Sequence, residues 1–347
     1  MSVISRGMGT LGFLKVKGRA MISDGTVDWS AVIKVMDVET DVQFDGSQGS
    51  FASQHREIEA YESGFFDQLD GDLRAAPCHG ITRTGEVAML WLEDLSDSVP
   101  HPWDRDEFLM SARATGVFNG SWPESRAPEG EWLERGFMTN RPMFWSGNPR
   151  INSIAEPENK QIAAELGALS GVATIDQMPS EFVEVANSLT GLPRVVSHND
   201  LHSRNAFFRN EESGPVIYLI DWASVGLGPV GLDGGTLAGG GLLWTEKEAL
   251  LSAEIEEQMF GEYLRGLTDS GYSYKRDQVR LGYLSNILVY MTVHLMVVAD
   301  MESQSAKRLA TNRFGVTGEE FLNQLAFRLR TFKPLFDEAV ALARQLG

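Results

Sequence analysis

Two short apolar runs, each ending in a carboxylate, dominate the middle of the chain. Residues 194–208 read R-V-V-S-H-N-D-L-H-S-R-N-A-F-F, and residues 215–222 read P-V-I-Y-L-I-D-W. Apolar runs this short read as buried strands, and the polar residues gather where each strand stops. The first run leads into His198-x-Asp200, with Asn205 five residues after Asp200, and the second ends in Asp221. Placed on adjacent strand ends, Asp200, Asn205 and Asp221 have their mutual geometry fixed. Taken singly, such an Asp is a turn or cap residue and such an Asn a turn former. Taken together, H-x-D-L-x-x-x-N followed by an apolar run and Asp is a specific pattern.

The organisation around this segment changes near Leu95. Before it, Phe13–Met21, Ser30–Met36 and Glu86–Leu92 read as strands, and Arg56–Phe66 as a helix with Ile58, Tyr61 and Phe65 on one stripe. After it, helices are predicted over Glu107–Phe118, Lys160–Leu169, Ser180–Leu189, Glu246–Leu267, Arg276–Met301 and Gly318–Leu346, with short strands at Arg194–Ser197 and Val216–Ile220. The expectation is an α+β chain with a small β-rich lobe, 1–95, a larger mainly helical lobe, 96–347, and a ligand cleft at their join.

Composition removes several alternatives. The single cysteine, Cys78, forbids an internal disulfide and fits a reducing, cytoplasmic setting. Met1–Thr10 lacks the basic stretch and apolar run of a secretory leader. The apolar stretch Leu281–Val298 is broken by Ser285, Asn286, Thr292 and His294, which suits a buried helix better than a membrane span. A net charge of −18 opposes a nucleic-acid partner. It serves solubility, and it would also draw a cationic small molecule.

Phosphoryl transfer asks for what the central pattern supplies. Hard oxygen donors must hold the Mg²⁺ that bridges the phosphate oxygens, a task that suits Asn205 and Asp221. A separate carboxylate, Asp200, must reach the acceptor hydroxyl to orient it and take its proton.

The segment His198–Asn205 resembles the catalytic loop of the aminoglycoside phosphotransferase and choline kinase superfamily, usually H-G-D-x-H-x-x-N. Ile220-Asp221-Trp222 resembles its metal-binding segment, the counterpart of D-F-G in protein kinases. The resemblance implies a protein-kinase-like two-lobe fold and an ATP- and Mg²⁺-dependent transfer of the γ-phosphate to a hydroxyl of a small molecule. It implies Asp200 as catalytic base, Asn205 and Asp221 as Mg²⁺ ligands, and His198 as a brace of the loop. His202 stands where protein kinases carry a Lys that touches the transferring phosphate, and either that role or a structural one is open. Asn199 replaces the usual Gly, a departure that bears on the backbone rather than the chemistry.

The likeness extends over about Val3–Gly235. Lys34, in A-V-I-K-V-M, resembles the strand Lys that meets the ATP phosphates. Its helix partner is Glu57 or Glu59 by periodicity, and the family pattern favours Glu57. Glu93 and Leu95, in L-W-L-E-D-L, resemble the hinge that meets adenine, and Asp233 matches an Asp that supports the catalytic loop. Gly7-Met8-Gly9-Thr10-Leu11-Gly12 fits a phosphate-covering loop between strands, giving Gly7 and Gly9 as nucleotide contacts.

The segment after Asp221 is too short to present a peptide and lacks A-P-E, which argues against a protein kinase. The competing class is a catalytically silent, nucleotide-binding protein of the same fold. The acceptor stays open among aminoglycoside, macrolide, amino-alcohol, homoserine, sugar and ecdysteroid-kinase-like branches. Trp103, Trp122, Trp132, Phe137, Phe144 and Trp145 border the expected acceptor region, with core packing the preferred reading, and Asp104, Asp106, Glu131 and Glu134 are candidate cation binders.

Overall fold

Alternating side chains build a long antiparallel hairpin from β1 (Thr10–Ile22) and β2 (Gly25–Asp37), with Phe13 opposite Lys34. The computed structural model describes residues 10–347 apart from 24, 39–40, 44–49, 70, 99–102, 136–152, 213, 245–251 and 300–316. A small ribbon, β3 (Asp41–Gln43) with β4 (Ser50–Ser53), leads into α1 (Gln54–Glu62). After β5 (Leu73–Ala75), strands β6 (Cys78–Thr84) and β7 (Val87–Glu93) complete a four-stranded sheet in the order β1-β2-β7-β6. Helix α1 packs on one face of it, where Ile58 meets Met36, Ala88, Leu90 and Leu92. Transfer of such side chains from water is what seats the helix, at roughly 1.5–3 kcal/mol each.

Helix α1 is shorter than its apolar stripe predicts. It stops at Glu62, and Gly64, with φ 71°, turns the chain so that Phe65 and Phe66 leave the helix. Both rings are buried, Phe65 against Trp122 and Trp132 and Phe66 against Trp222. The stripe was a correct reading of what is buried and a wrong reading of the backbone that buries it.

The rest of the chain is mainly helical. Asp104 caps α2 (Arg105–Ser121) in a capping box with Glu107, so it serves a helix terminus. Next come α3 (Lys160–Ser170) and α4 (Met178–Ser188), then β8 (Arg194–Ser197), β9 (Ala206–Glu211), β10 (Gly214–Leu219) and β11 (Gly226–Pro229). Strand β8 pairs with β11, and β10 pairs with β9 on one side and, in parallel, with β5 on the other. Helices α5 (Leu232–Trp244), α6 (Ala253–Asp269), α7 (Arg276–Ala299) and α8 (Gly318–Leu346) finish the fold. The helix expected from Glu246 thus begins at Ala253, residues 245–251 lying outside the described residues. Among the described residues no helix is long and apolar enough to cross a membrane. The whole is an α+β, protein-kinase-like fold with its strands concentrated in the N-terminal part.

Helix α5 was not anticipated, because L-D-G-G-T-L-A-G-G-G-L-L-W contains five glycines, each costing about 1 kcal/mol of helix propensity. Packing demands them. A β-carbon on Gly235 would stand 1.9 Å from the Tyr283 carbonyl oxygen of α7, and one on Gly240 would stand 2.9 Å from the His202 β-carbon. The glycines let α5 lie directly against α7 and under the loop that carries the site.

Candidate active site

The site lies where β2 and α1 face the ends of β8, β9 and β10. Lys34, 2% exposed, extends its Nζ to Glu57 Oε2 at 2.5 Å and to Asp221 Oδ1 at 2.7 Å. The helix ambiguity is thereby settled geometrically: Glu57 is fully buried on Lys34, whereas Glu59 faces His55 at the surface. Burial alone would lower the Lys34 pKa, but the two carboxylates overcome it and hold the ammonium above its ordinary value. Burial likewise works to raise Asp221, and Lys34 more than reverses it, so its carboxyl lies below the usual range. Glu57, sealed from water, is pushed up. One ammonium thus serves two carboxylates.

Asp221 occupies the left-handed region at φ 63°, and Asn199 does so at φ 66°. Among the described residues these are the two non-glycine residues with positive φ. Such a conformation costs about 1–2 kcal/mol per residue, so the surroundings must impose it. They do so by gripping the backbone around Asp221. His198 Nε2 donates to the Ile220 carbonyl at 2.9 Å, and the Trp222 N–H donates to Glu57 Oε1 at 3.2 Å. Arg56 Nη1 donates to the Ala223 carbonyl at 2.8 Å, and Asn199 Nδ2 to the Ser224 carbonyl at 2.9 Å. Four side chains, two from α1 and two from the loop before Asp200, hold residues 220 and 222–224.

The loop carrying Asp200 is held as closely. His198 Nδ1 accepts from the Asp200 N–H at 3.3 Å while Nε2 donates to the Ile220 carbonyl, which places the ring N–H on Nε2. Its ring packs on Trp222 with centroids 4.5 Å apart. Asp233 accepts from the backbone N–H groups of His198 and Asn199, both at 2.8 Å, and from Asn119 Nδ2 at 3.1 Å. Burial raises the Asp233 pKa, and these donors oppose it. Asn119 in turn donates to the Val196 carbonyl and accepts from Tyr263 Oη at 2.8 Å, and Tyr263 accepts from the Gly231 N–H. Asn119 and Tyr263 escaped sequence reasoning. The one signal was an Asn inside the otherwise apolar G-V-F-N-G stretch of α2.

Asn205 Nδ2 donates to the Asp200 carbonyl at 3.0 Å and lies 3.4 Å from Asp200 Oδ2, and its own carbonyl accepts from the Ile220 N–H at 2.9 Å. With Ala206 opposite Leu219 in the β9–β10 ladder, Asn205 and Asp221 emerge side by side. His202 Nδ1 accepts from the Arg204 N–H, and its Nε2 stands 3.8 Å from Asp200 Oδ2, outside direct hydrogen-bond range. Burial lowers the His202 pKa further than the Asp200 charge restores it. Among the described residues no three His, Cys, Asp or Glu side chains form a metal cluster.

Other predicted residues fall around this centre. Glu93 ends β7 with its carboxylate on Arg209, and the Leu95 carbonyl accepts from the Ser98 N–H. Gly7 and Gly9 lie outside the described residues, although Gly12 pairs with Val35, next to Lys34. Trp103, Trp122 and Trp132 pack against Phe108 and Phe208, and against Phe65, as core rather than as an open pocket, while Phe137, Phe144 and Trp145 lie outside the described residues.

Comparison with known proteins bears on the family and the fold. The model of a phosphotransferase enzyme family matches residues 135–272. The fold is similar to amicoumacin kinase hAmiN in complex with AMP-PNP, Ca²⁺ and Ami, at a TM-score of 0.51 and 12% identity over 93% of this chain and 87% of that one. It is also similar to an aminoglycoside phosphotransferase from Alicyclobacillus acidocaldarius, at a TM-score of 0.50 and 12% identity over 99% and 92%. No curated protein matches. At these identities the structural likeness is one of fold. The chain resembles the aminoglycoside phosphotransferase superfamily in sequence motif, and it shares its fold with these two proteins.

Proposed function

We propose that this protein is a small-molecule kinase that transfers the γ-phosphate of ATP, with Mg²⁺, to a hydroxyl of its acceptor. The observation that carries the reading is the convergence of Lys34, Glu57 and Asp221 on one side of a site whose other side is Asp200 and Asn205. Residues 1–95 then act as the nucleotide-binding lobe and 96–347 as the lobe that holds the catalytic loop, 194–235, and the acceptor. Adenine meets the backbone near Glu93 and Leu95, and Gly7 and Gly9 cover the phosphates.

The donor set suits the metal. Mg²⁺ favours one or two protein oxygens with phosphate and water completing its shell, which matches Asp221 and the amide oxygen of Asn205, whose nitrogen is turned to Asp200. Bound there, the ion would neutralise charge on the phosphate oxygens. Lys34, steadied by Glu57, holds the α- and β-phosphates, and Asp200 orients the acceptor hydroxyl and takes its proton. His202, whose Nδ1 accepts from the Arg204 N–H and whose Nε2 stands 3.8 Å from Asp200 Oδ2, would be placed to donate to the transferring phosphate. An isotropic search in solution gives way to a fixed constellation, which is the main source of rate in this chemistry.

The protein works on a soluble acceptor in the cytoplasm, without nucleic acid or membrane. Purified protein with ATP and Mg²⁺, screened against a library of hydroxyl compounds for ADP release, tests the reading. Asp200→Ala should abolish acceptor-dependent turnover and leave nucleotide affinity within about twofold. Turnover that survives Asp200→Ala would overturn it. An absence of turnover with every acceptor, alongside nucleotide binding, would favour the catalytically silent alternative.

A further inference from the structure

Two of the four side chains that grip the backbone around Asp221 come from the two residues just before Asp200, His198 and Asn199. We propose that Asn199 is a positioning residue that locks the segment carrying Asp221 to the loop carrying Asp200, and so sets how firmly nucleotide-borne Mg²⁺ is held. The proposal rests on the phosphotransferase reading of the site.

The backbone of residue 199 needs the left-handed region, which Gly adopts freely and Asn adopts better than most other residues. Backbone freedom alone would be met by the Gly usual in H-G-D. Asn199 adds an amide. Its Nδ2 donates to the Ser224 carbonyl at 2.9 Å and lies 3.3 Å from the Ser197 carbonyl, while its N–H is fixed by Asp233. The residue is fully buried, so water does not compete for these bonds. The seat is shaped for the side chain, because a β-carbon on Gly228 would stand 2.9 Å from Asn199 Oδ1.

Ser224 is the consequential end of this bond. Residues 222–224 form a single tight turn closed by the Val225 N–H on the Trp222 carbonyl, and Asp221 stands at its start in a strained conformation. The Asp221 side chain is 44% exposed and drawn toward Lys34. Holding Ser224 fixes the far end of the turn, as His198 fixes the near end at Ile220. Released at Ser224, the turn can relax and carry Asp221 away from Asn205.

The test separates the amide from the backbone. Binding of a non-hydrolysable ATP analogue is measured by calorimetry, with and without Mg²⁺, for wild type, Asn199→Gly and Asn199→Ala. Both variants should raise the Mg²⁺ half-saturation about fivefold, the loss of one buried hydrogen bond, with Mg²⁺-free nucleotide affinity unchanged. Asn199→Ala should in addition melt lower, because Ala is strained at positive φ. A wild-type midpoint in Asn199→Gly would overturn the proposal and leave the phosphotransferase reading intact. Wild-type protein that binds no nucleotide would overturn both. Should Asn199→Gly be insoluble, Gly228→Ala displaces the same amide from outside. The same rise in midpoint is then expected, and its absence refutes the role.

Discussion

Removing the Lys34 ammonium leaves a fully buried Glu57 without the cation that compensates it. At 2.5 Å the gross attraction is about 7 kcal/mol for an effective dielectric near 20. Most of that repays desolvation, and truncating one partner of such a pair costs about 3–5 kcal/mol net. Lys34→Met should therefore lower stability by about that amount. Asp221 adds little to this figure, being 44% exposed and able to turn to water. Glu57→Gln should cost less, about 2 kcal/mol, since the amide oxygen still accepts from the Trp222 N–H and Lys34 keeps Asp221. The double variant removes both buried charges and should be less damaged than the sum of the singles by about 1–3 kcal/mol.

Urea unfolding at common m-value measures all three, and pH supplies an internal check. In Lys34→Met, the Glu57 pKa, already pushed up by burial, loses its opposing cation. The folded state then binds a proton that the unfolded state releases above about pH 4.3. The deficit should consequently grow as pH rises from 5 to 8 and shrink as it falls. A Lys34→Met protein within about 0.5 kcal/mol of wild type, or strictly additive effects in the double variant, would refute the account.

His202 has a depressed pKa, so protonation favours the unfolded chain. Its contribution to stability should be level above about pH 7 and fall as pH drops below 6.5, so His202→Gln should remove that part of the fall in thermal melts at stepped pH. Tyr263→Phe leaves the Gly231 N–H and Asn119 Oδ1 without the hydroxyl between them and should cost about 1–3 kcal/mol by denaturant titration. Gly235→Ala puts a methyl into the Tyr283 backbone and should cost more than about 4 kcal/mol or yield insoluble protein, whereas Gly261→Ala, open to space on α6, should be neutral or slightly stabilising.

What the sequence disclosed follows a physical division. The strand before Asp200, the Lys34 strand and the last helix were legible because each is set by its own periodicity, and Gly318–Leu346 was read to the residue. Helix α5 was not, because its reason for being helical lies in α7 and not in its own propensities. Strands β6 and β9 were also passed over, and β5 and β11 were missed for a similar cause: three or four residues carry too little pattern, and their partners lie far along the chain. At the site, motif and spacing named the polar residues that meet one another. The supporting pair Asn119 and Tyr263, separated by 144 residues, left no such mark. Nor could periodicity choose between Glu57 and Glu59, since only the position of Lys34 in three dimensions distinguishes them.

Lys34 also has a bearing on the order in which the site fills. Asp221 already has a cation 2.7 Å away, so on the proposed reading a bare dication arriving alone would have to displace an ammonium. On the proposed reading, a triphosphate would offer Lys34 a richer set of oxygens and leave the Asp221 carboxylate for the ion it carries. Loading of the proposed site would then exchange one counterion for another, and millimolar magnesium without nucleotide should find this protein a poor host.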